Sequence, residues 1–442
     1  MRKTEFHAGS DGFHDLYLGH GIYIHWLRNA LCKTVRLDLI LSQPLSKPEN
    51  ALGALISRLG ERGTINLPTM QEVGRAVDQL YGAFLSTDVN VLGNRHLLNV
   101  SLEVLSPQYV EKSDRSGLLL KALDIVRQIA MDPLRENGQF RERYVEQEKQ
   151  SLREQITSIY GDKMAYALGR CADEVNGMRI TPLGSEEDIK KIDAGSLPSF
   201  HLELLKESEV HFYFSGDISA EDVIFVSRRV PLWFKAVERV HLSGKSPAED
   251  SWNSLNSGRR VYERGQTKQG KLVYGLQIPA ARNLRSYVLL LFVNALLGGE
   301  GTSFLYRYLR EEKKLCYFIE SQVDPLLGKG YIQASVERED YQRALEEINR
   351  GIDDLKGGRV SGQDWKRTKA LLGHRLTVLR EDRDALQRLS LRSLISGYSM
   401  PLGEMEYHLA TIQLKEIVDV ANLLTPSIIY FFYGNGVEAK ES

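Results

Sequence analysis

TPLGSEEDIKKIDAGSLPSFHLELLKESEVHFYFSGD, from Thr181 to Asp217, and MPLGEMEYHLATIQLKEIVDVANLLTPSIIYFFYGN, from Met400 to Asn435, carry one pattern twice. Each opens on a Pro-Leu-Gly turn and runs through an amphipathic stretch with apolar residues at helical spacing. Each ends in a β-branched and aromatic strand, Val210 to Phe214 and Ile428 to Tyr433, closed by a glycine. Pro182 pairs with Pro401 at an offset of 219, and Gly216 with Gly434 at 218. Earlier in each half, NALGALISRLGERGT (Asn50 to Thr64) and NALLGGEGT (Asn294 to Thr302) end on Gly63-Thr64 and Gly301-Thr302, at an offset of 238. Three landmarks in the same order indicate an internal duplication. The alternative, two unrelated α+β domains with similar turns, needs that order to arise by chance. The falling offset places extra residues in the first half, most simply in the polar loop from Pro107 to Gly117.

A chain of 442 residues exceeds one ordinary core and fits two to four domains. Between the two patterns, VHLSGKSPAEDSWNSLNSGR, from Val240 to Arg259, is polar and rich in Ser, Gly and Asn, as an exposed linker is. The expected division is therefore a domain at 1–237, a linker at 238–259 and a second domain at 260–442. Strand-like runs at Val35 to Leu41, Leu97 to Val104, Leu272 to Ile278 and Tyr331 to Val336 alternate with long helical stretches. One of these, Gln139 to Tyr160, sets Tyr144, Val145, Leu152, Ile156 and Ile159 near one face. The fold class is α+β: two tandem homologous domains, each a mainly antiparallel sheet layered with helices on one side.

Charge and composition narrow the function. A net charge of −1 favours neither nucleic acid nor an anionic membrane as partner. The longest apolar run, YVLLLFVNALL from Tyr287 to Leu297, is about half a bilayer span and reads as a buried helix or strand. The first residues, MRKTEFHAGSDGFHDLYLGH, lack the apolar stretch of a secretory signal. Cys32, Cys171 and Cys316 are widely spaced, which suits a reducing cytoplasm and forms neither a disulfide framework nor a metal knuckle.

The stretch NALLGGEGTSFLYRYLREEKKLCYFIESQVDPLLGKGYIQASVE, from Asn294 to Glu337, combines a glycine-rich turn, a helix, Arg310 followed seven residues later by Tyr317, and a β-hairpin. In this arrangement the whole chain resembles the insulinase/pitrilysin, or inverzincin, peptidase family. The likeness is to its short two-domain branch, which holds the mitochondrial and bacterial processing peptidases. That resemblance implies a processing-peptidase-like clamshell and a zinc peptidase's HxxEH helix, in which histidines at i and i+4 hold the metal and the glutamate serves the bound water. None of the ten histidines here lies four residues from another; the nearest pair, His20 and His25, is five apart. Aligned on Gly63-Thr64, the family's two histidines and glutamate fall on Ala54, Arg58 and Ser57. The third ligand, the last Glu of a pattern matched by EKQSLREQ, falls on Gln155, with Glu148 seven residues before it. All four positions are replaced, and an arginine repels a cation. No metal is expected in this chain, and Glu148 and Glu154 read as solvated helix charges.

The resemblance gives Arg310 and Tyr317 contacts to substrate and to a developing oxyanion. The competing account pairs Arg310 with Glu311 or Glu312 and packs Tyr317 in the sheet. Gly298, Gly299 and Gly301 form either a flexible turn beside a substrate chamber or a helix cap; a phosphate loop is excluded because no GK[ST] follows. Since some members of the family divide labour between two chains, the implied role is the non-catalytic, substrate-binding subunit of a heteromeric zinc metallopeptidase. Its homologous partner would carry HxxEH and the zinc, and the complex would cleave peptides or leader segments. The alternative is a structural or peptide-binding pseudoenzyme with no part in hydrolysis.

Overall fold

The computed structural model describes residues 7–8, 12–111, 113, 115–176, 181–239 and 258–434. The linker expected at 238–259 lies outside them from 240 to 257. Two compact units form, one from Met1–Thr157 with Ile180–Ser246, the other from Ser158–Arg179 with Pro247–Ser442.

The first unit holds strands β1 (His7–Ala8), β2 (His14–Gly19), β3 (Ile22–Arg28), β4 (Thr34–Pro44), β5 (Phe84–Leu92), β6 (Arg95–Leu105) and β7 (Glu209–Gly216). In chain order its helical segments are α1 (Lys47–Arg62), α2 (Met70–Asp78), α3 (Arg115–Met131), most of α4 (Glu142–Gly161), and, after α5 (Lys163–Asn176), α6 (Glu186–Lys191), α7 (Leu197–Glu207) and α8 (Ala220–Trp233). The sheet runs β1-β2-β3-β7-β4-β6-β5, antiparallel except for the parallel pair β3/β7. Along β4, Val35, Leu37, Leu39 and Leu41 turn one way and are buried, while Arg36, Asp38 and Ile40 turn the other, where Asp38 and Ile40 are buried too. Helices α1, α3 and α7 pack along this sheet.

The second unit holds β8 (Arg259–Arg264), β9 (Gly270–Gln277), β10 (Cys316–Asp324), β11 (Lys329–Val336) and β12 (Thr425–Tyr433). Its helices are α5, α9 (Leu284–Leu297), α10 (Tyr341–Lys356), α11 (Gly362–Leu379), α12 (Arg383–Ser396), α13 (Leu402–Thr411) and α14 (Leu414–Asn422). The sheet order is β10-β11-β9-β12-β8, with β8 parallel to β12 and the other pairs antiparallel. Set beside β5-β6-β4-β7-β3, it is the same topology strand for strand, including the one parallel pair. The expected α+β duplication is thus present in the sheets, and the first unit adds the hairpin partners β1 and β2.

The structure resolves or revises several expectations. YVLLLFVNALL is a helix. Its start is set by Asn283, whose side chain accepts from the Ser286 amide at 2.9 Å, and all of the run but Leu291 and Asn294 is buried. The helix-capping glycine equivalent to Gly63 is Gly298, with Gly301 three residues further on. The first half's extra residues do not sit in one loop: 106–114 exceeds its counterpart 337–340, and 132–141 exceeds 357–361. Gly216 and Gly434 close their strands for one reason, since a Cβ there would stand 2.4 Å from the Thr34 carbonyl oxygen or 2.0 Å from that of Thr267.

Helices on one side do not suffice for the second sheet, because both its faces are apolar. Ile428, Tyr430 and Phe432 point one way along β12, Ile429 and Phe431 the other, and all five are buried. On one face Tyr274 of β9 hydrogen-bonds Asn349 of α10 at 2.9 Å. On the other, α5 brings Ala167 and Cys171 against Val273, Ile428, Tyr430 and Phe432. Helix α5 precedes this sheet's own strands in sequence yet completes its core. Covering Val273, Ile428 and Phe432 is worth ~1.5–3 kcal/mol each. Among the described residues no helix is long and apolar enough to cross a membrane.

Candidate functional site

Helices α1 and α4 bring the four replaced positions, three of ligands and one of the catalytic glutamate, to one place. Ser57, Arg58 and Arg62 follow the i, i+1, i+5 rise of α1, while Glu148, Ser151 and Gln155 fall at i, i+3, i+7 on the facing side of α4. The Arg58 guanidinium donates to Ser151 Oγ at 2.8 Å and to Gln155 Oε1, and lies 3.5 Å from Glu148 Oε2. Arg62 donates to Glu148 Oε1 at 2.5 Å. Ala54 is in the core at 1% exposure, and the buried Ser57 hydroxyl has no hydrogen-bond partner among the described residues. Glu148 is therefore not the solvated helix charge its sequence suggested. It is 5% exposed and neutralised by two arginines, because it lies on the α4 face that meets α1. Glu154 is exposed and accepts from Gln150 at 2.8 Å.

These residues do not fit a zinc ion. The locus offers one carboxylate already engaged by two guanidiniums, an amide oxygen and a hydroxyl, with a fixed cation among them. Among the described residues no three His, Cys, Asp or Glu side chains are arranged to hold a metal.

Arg310 and Tyr317 lie in the second unit, in two irregularities that periodicity does not reveal. Arg310 sits on a π-helical turn, Tyr306–Glu312, with its guanidinium 4.9 Å from the Tyr306 ring centroid. Neither Glu311 nor Glu312 pairs with it; Glu312 lies 3.5 Å from Arg350, and among the described residues Arg310 has no carboxylate partner. Tyr317 follows at a β-bulge on edge strand β10, where the register shifts between Cys316 and Ile319. The bulge turns two successive rings outward, Tyr317 at 80% and Phe318 at 41% exposure, so Tyr317 is not packed in the sheet. Burial raises the neighbouring Cys316 thiol to about 11, with the Arg310 charge opposing, so the guanidinium lies near the start of the same bulge.

The glycine turn is a helix cap fastened to that strand. The Gly298 and Gly299 amides both donate to the Asn294 carbonyl, at 3.0 and 2.8 Å, and the Ser321 amide of β10 donates to the Gly298 carbonyl at 2.9 Å. A Cβ on Gly298 would meet Ser321 Oγ at 2.9 Å, and one on Gly299 would meet the Asn294 amide nitrogen at 2.7 Å, whereas Gly301 has open space.

Sequence reasoning missed a buried histidine pair in the first unit. His25 on β3 bonds Asp15 through Nδ1 at 2.7 Å and His211 on β7 through Nε2 at 3.2 Å. The pair stacks between Tyr23 and Tyr213. Burial lowers the His211 pKa to about 4, against the pull of Glu209. The alternation of β3 and β7 was the only available signal, since it places both histidines on a sheet face.

A duplicated α+β sheet pair with the zinc ligands substituted defines the class: a peptidase M16, or insulinase-like, homologue without the metal centre. Residues 191–372 match the family model described as "Peptidase M16 inactive domain", so the chain is homologous to that family over this stretch. It is 24% identical over 420 residues to "Probable inactive metalloprotease YmfF" of Bacillus subtilis, covering 94% of this chain and 96% of that protein. A crystal structure of a conserved protein from Enterococcus faecalis superposes with a TM-score of 0.84 at 23% identity, covering 96% of this chain and 99% of that one. The structure described as peptidase M16 inactive domain from Pseudomonas fluorescens gives 0.76 at 14%, covering 96% and 98%. These two likenesses establish the fold.

Proposed function

We propose that this chain is the zinc-less, substrate-binding subunit of a two-chain zinc peptidase of the cytoplasm, cleaving peptides or leader segments, with a homologous HxxEH-bearing partner that supplies the metal. The observation that carries this reading is the outward pair: an arginine without a carboxylate partner among the described residues and a tyrosine at 80% exposure, held by a bulge next to a pinned glycine cap. A pure scaffold has no use for either. Edge strand β10 offers an extended peptide a ladder of backbone groups, Arg310 a grip on its carbonyls, and Tyr317 a hydroxyl for a carbonyl oxygen gaining negative charge. The 24% identical relative described as an inactive metalloprotease supports the absence of independent hydrolysis.

The test is reconstitution with the cognate HxxEH-bearing homologue. Light scattering should show a heterodimer, and Tyr317→Phe should lower its turnover about 10²-fold without altering assembly. Arg310→Ala should weaken substrate binding as well as rate. Failure to associate rejects the two-chain enzyme; association with undiminished turnover for Tyr317→Phe leaves the subunit a scaffold.

A further inference from the structure

Helices α9, α11, α12 and α13 of the second unit enclose a cavity of about 300 Å³, at the lower end of the range for small-molecule sites. Val288 and Leu291 on α9, Leu372 and Leu376 on α11, Leu389 on α12 and Met405 on α13 make most of the wall apolar. The apolar part of this wall suits a hydrocarbon.

The charged groups of the lining are all of one sign. They are Arg375, Arg388 and Arg392, with no carboxylate among them. Arg375 is matched by Glu300. Among the described residues Arg392 donates only to a neutral group, the Tyr287 hydroxyl at 2.7 Å. Arg388 has neither an ion pair nor a hydrogen bond among the described residues. Arg388 and Arg392 lie at i and i+4 on α12, where like charges disfavour one another unless an anion lies between them. A planar carboxylate matches the fork of a guanidinium.

We infer that this cavity binds an anionic amphiphile, a carboxylate on an unbranched alkyl chain of fatty-acid type, with the tail between α9 and α11 and the head at Arg388 and Arg392. The site is independent of the bulge that carries Tyr317, and its test does not use peptidase activity.

Calorimetry on the full chain with octanoate, decanoate and decanol tests it. Decanoate should bind one per chain, tighter than octanoate by roughly fourfold per added methylene until the cavity is full. Decanol should bind at least tenfold more weakly than decanoate. Arg388→Glu, at an exposed position, should keep the thermal unfolding curve and weaken decanoate at least tenfold. Leu376→Trp should block the tail, and if that variant misfolds the Arg388 variant decides alone. No saturable binding of decanoate, equal affinity for decanol, or decanoate binding untouched by Arg388→Glu overturns the proposal. Binding to phosphatidylglycerol vesicles without binding of soluble decanoate overturns it too, and assigns the arginines to a lipid headgroup.

Discussion

Arg58 satisfies by hydrogen bonds the ring of groups that a metal would have satisfied by coordination. Its partners Glu148, Ser151 and Gln155 all come from α4, and Arg62 adds a second positive charge on Glu148. Glu148→Ala would leave two guanidiniums facing each other across a partly buried gap. Urea unfolding should show a loss of about 2 kcal/mol, less than a fully buried pair because both arginines are near 30% exposed. Glu154→Ala should change stability by less than about 0.5 kcal/mol. Equal effects would mean that the pairing across α1 and α4 contributes nothing. Histidines make a second residue-scale case. His201 on α7 bonds the Ala130 carbonyl through Nε2 at 2.8 Å, and its Nδ1 accepts from Arg135 at 2.5 Å, so both nitrogens are committed in the neutral ring. Burial lowers its pKa to about 4, the Ala130 carbonyl opposing and Arg135 assisting, as burial also does for His211. An unfolded histidine titrates near 6.5, so between about 4 and 6.5 the unfolded chain takes up protons that the folded one refuses. Stability is thus fully present above about pH 6.5 and falls on acidification, by roughly 2 kcal/mol per histidine at pH 5. Urea midpoints at pH 7.5 and 5 check this, and His201→Gln should make the dependence shallower. Identical midpoints would contradict the neutral assignment.

At the scale of the element, α5 shows what an amphipathic pattern can and cannot say. Its apolar stripe is plain in the sequence, but nothing in the stripe says which sheet it will cover. The choice is made by Glu263 on β8. Tyr166 donates to it at 2.5 Å, Arg170 at 3.2 Å, and Tyr430 donates to the same carboxylate. Burial alone would raise the Glu263 pKa; the hydrogen bonds from Tyr166, Tyr430 and Arg170 outweigh it and hold the carboxyl below its ordinary value. Glu263→Ala should lower stability by about 2 kcal/mol and speed amide exchange across 163–176 more than elsewhere in the unit. Uniform exchange along the unit would show that apolar contact suffices to seat α5. The same limit hid the bulge at Tyr317. An extra residue in a strand leaves its composition unchanged, and only the shift of partner between Cys316 and Ile319 reveals that two successive rings face outward. Strands such as β4 and β6 were legible because every second residue from Val35 to Leu41 and from Leu98 to Val104 is apolar and sets one face. Glu148 was misjudged because its burial depends on a helix some ninety residues away.

For the whole molecule, the duplication was legible because closing glycines and Pro-Leu-Gly turns mark backbone requirements that side-chain drift cannot erase, and the strand orders of the two sheets agree with it. The division into units was less so, since Ala167 and Cys171 of α5 join a core built from residues a hundred or more positions later. The substitutions at Ala54, Ser57, Arg58 and Gln155 were readable one at a time; their effect is collective. A locus with a fixed guanidinium, one neutralised carboxylate and no imidazole cannot offset the repulsion of a divalent cation. Folding in both units rests instead on sheets whose apolar faces are covered by helices. The purified chain should therefore hold far less than one zinc per molecule, and neither chelator nor added zinc should move its melting temperature, because a ligand that does not bind the folded state cannot shift the equilibrium. Metal analysis finding about one tightly held zinc, with a chelator-sensitive melting point and peptide hydrolysis by the chain alone, would overturn this and with it the need for a metal-bearing partner.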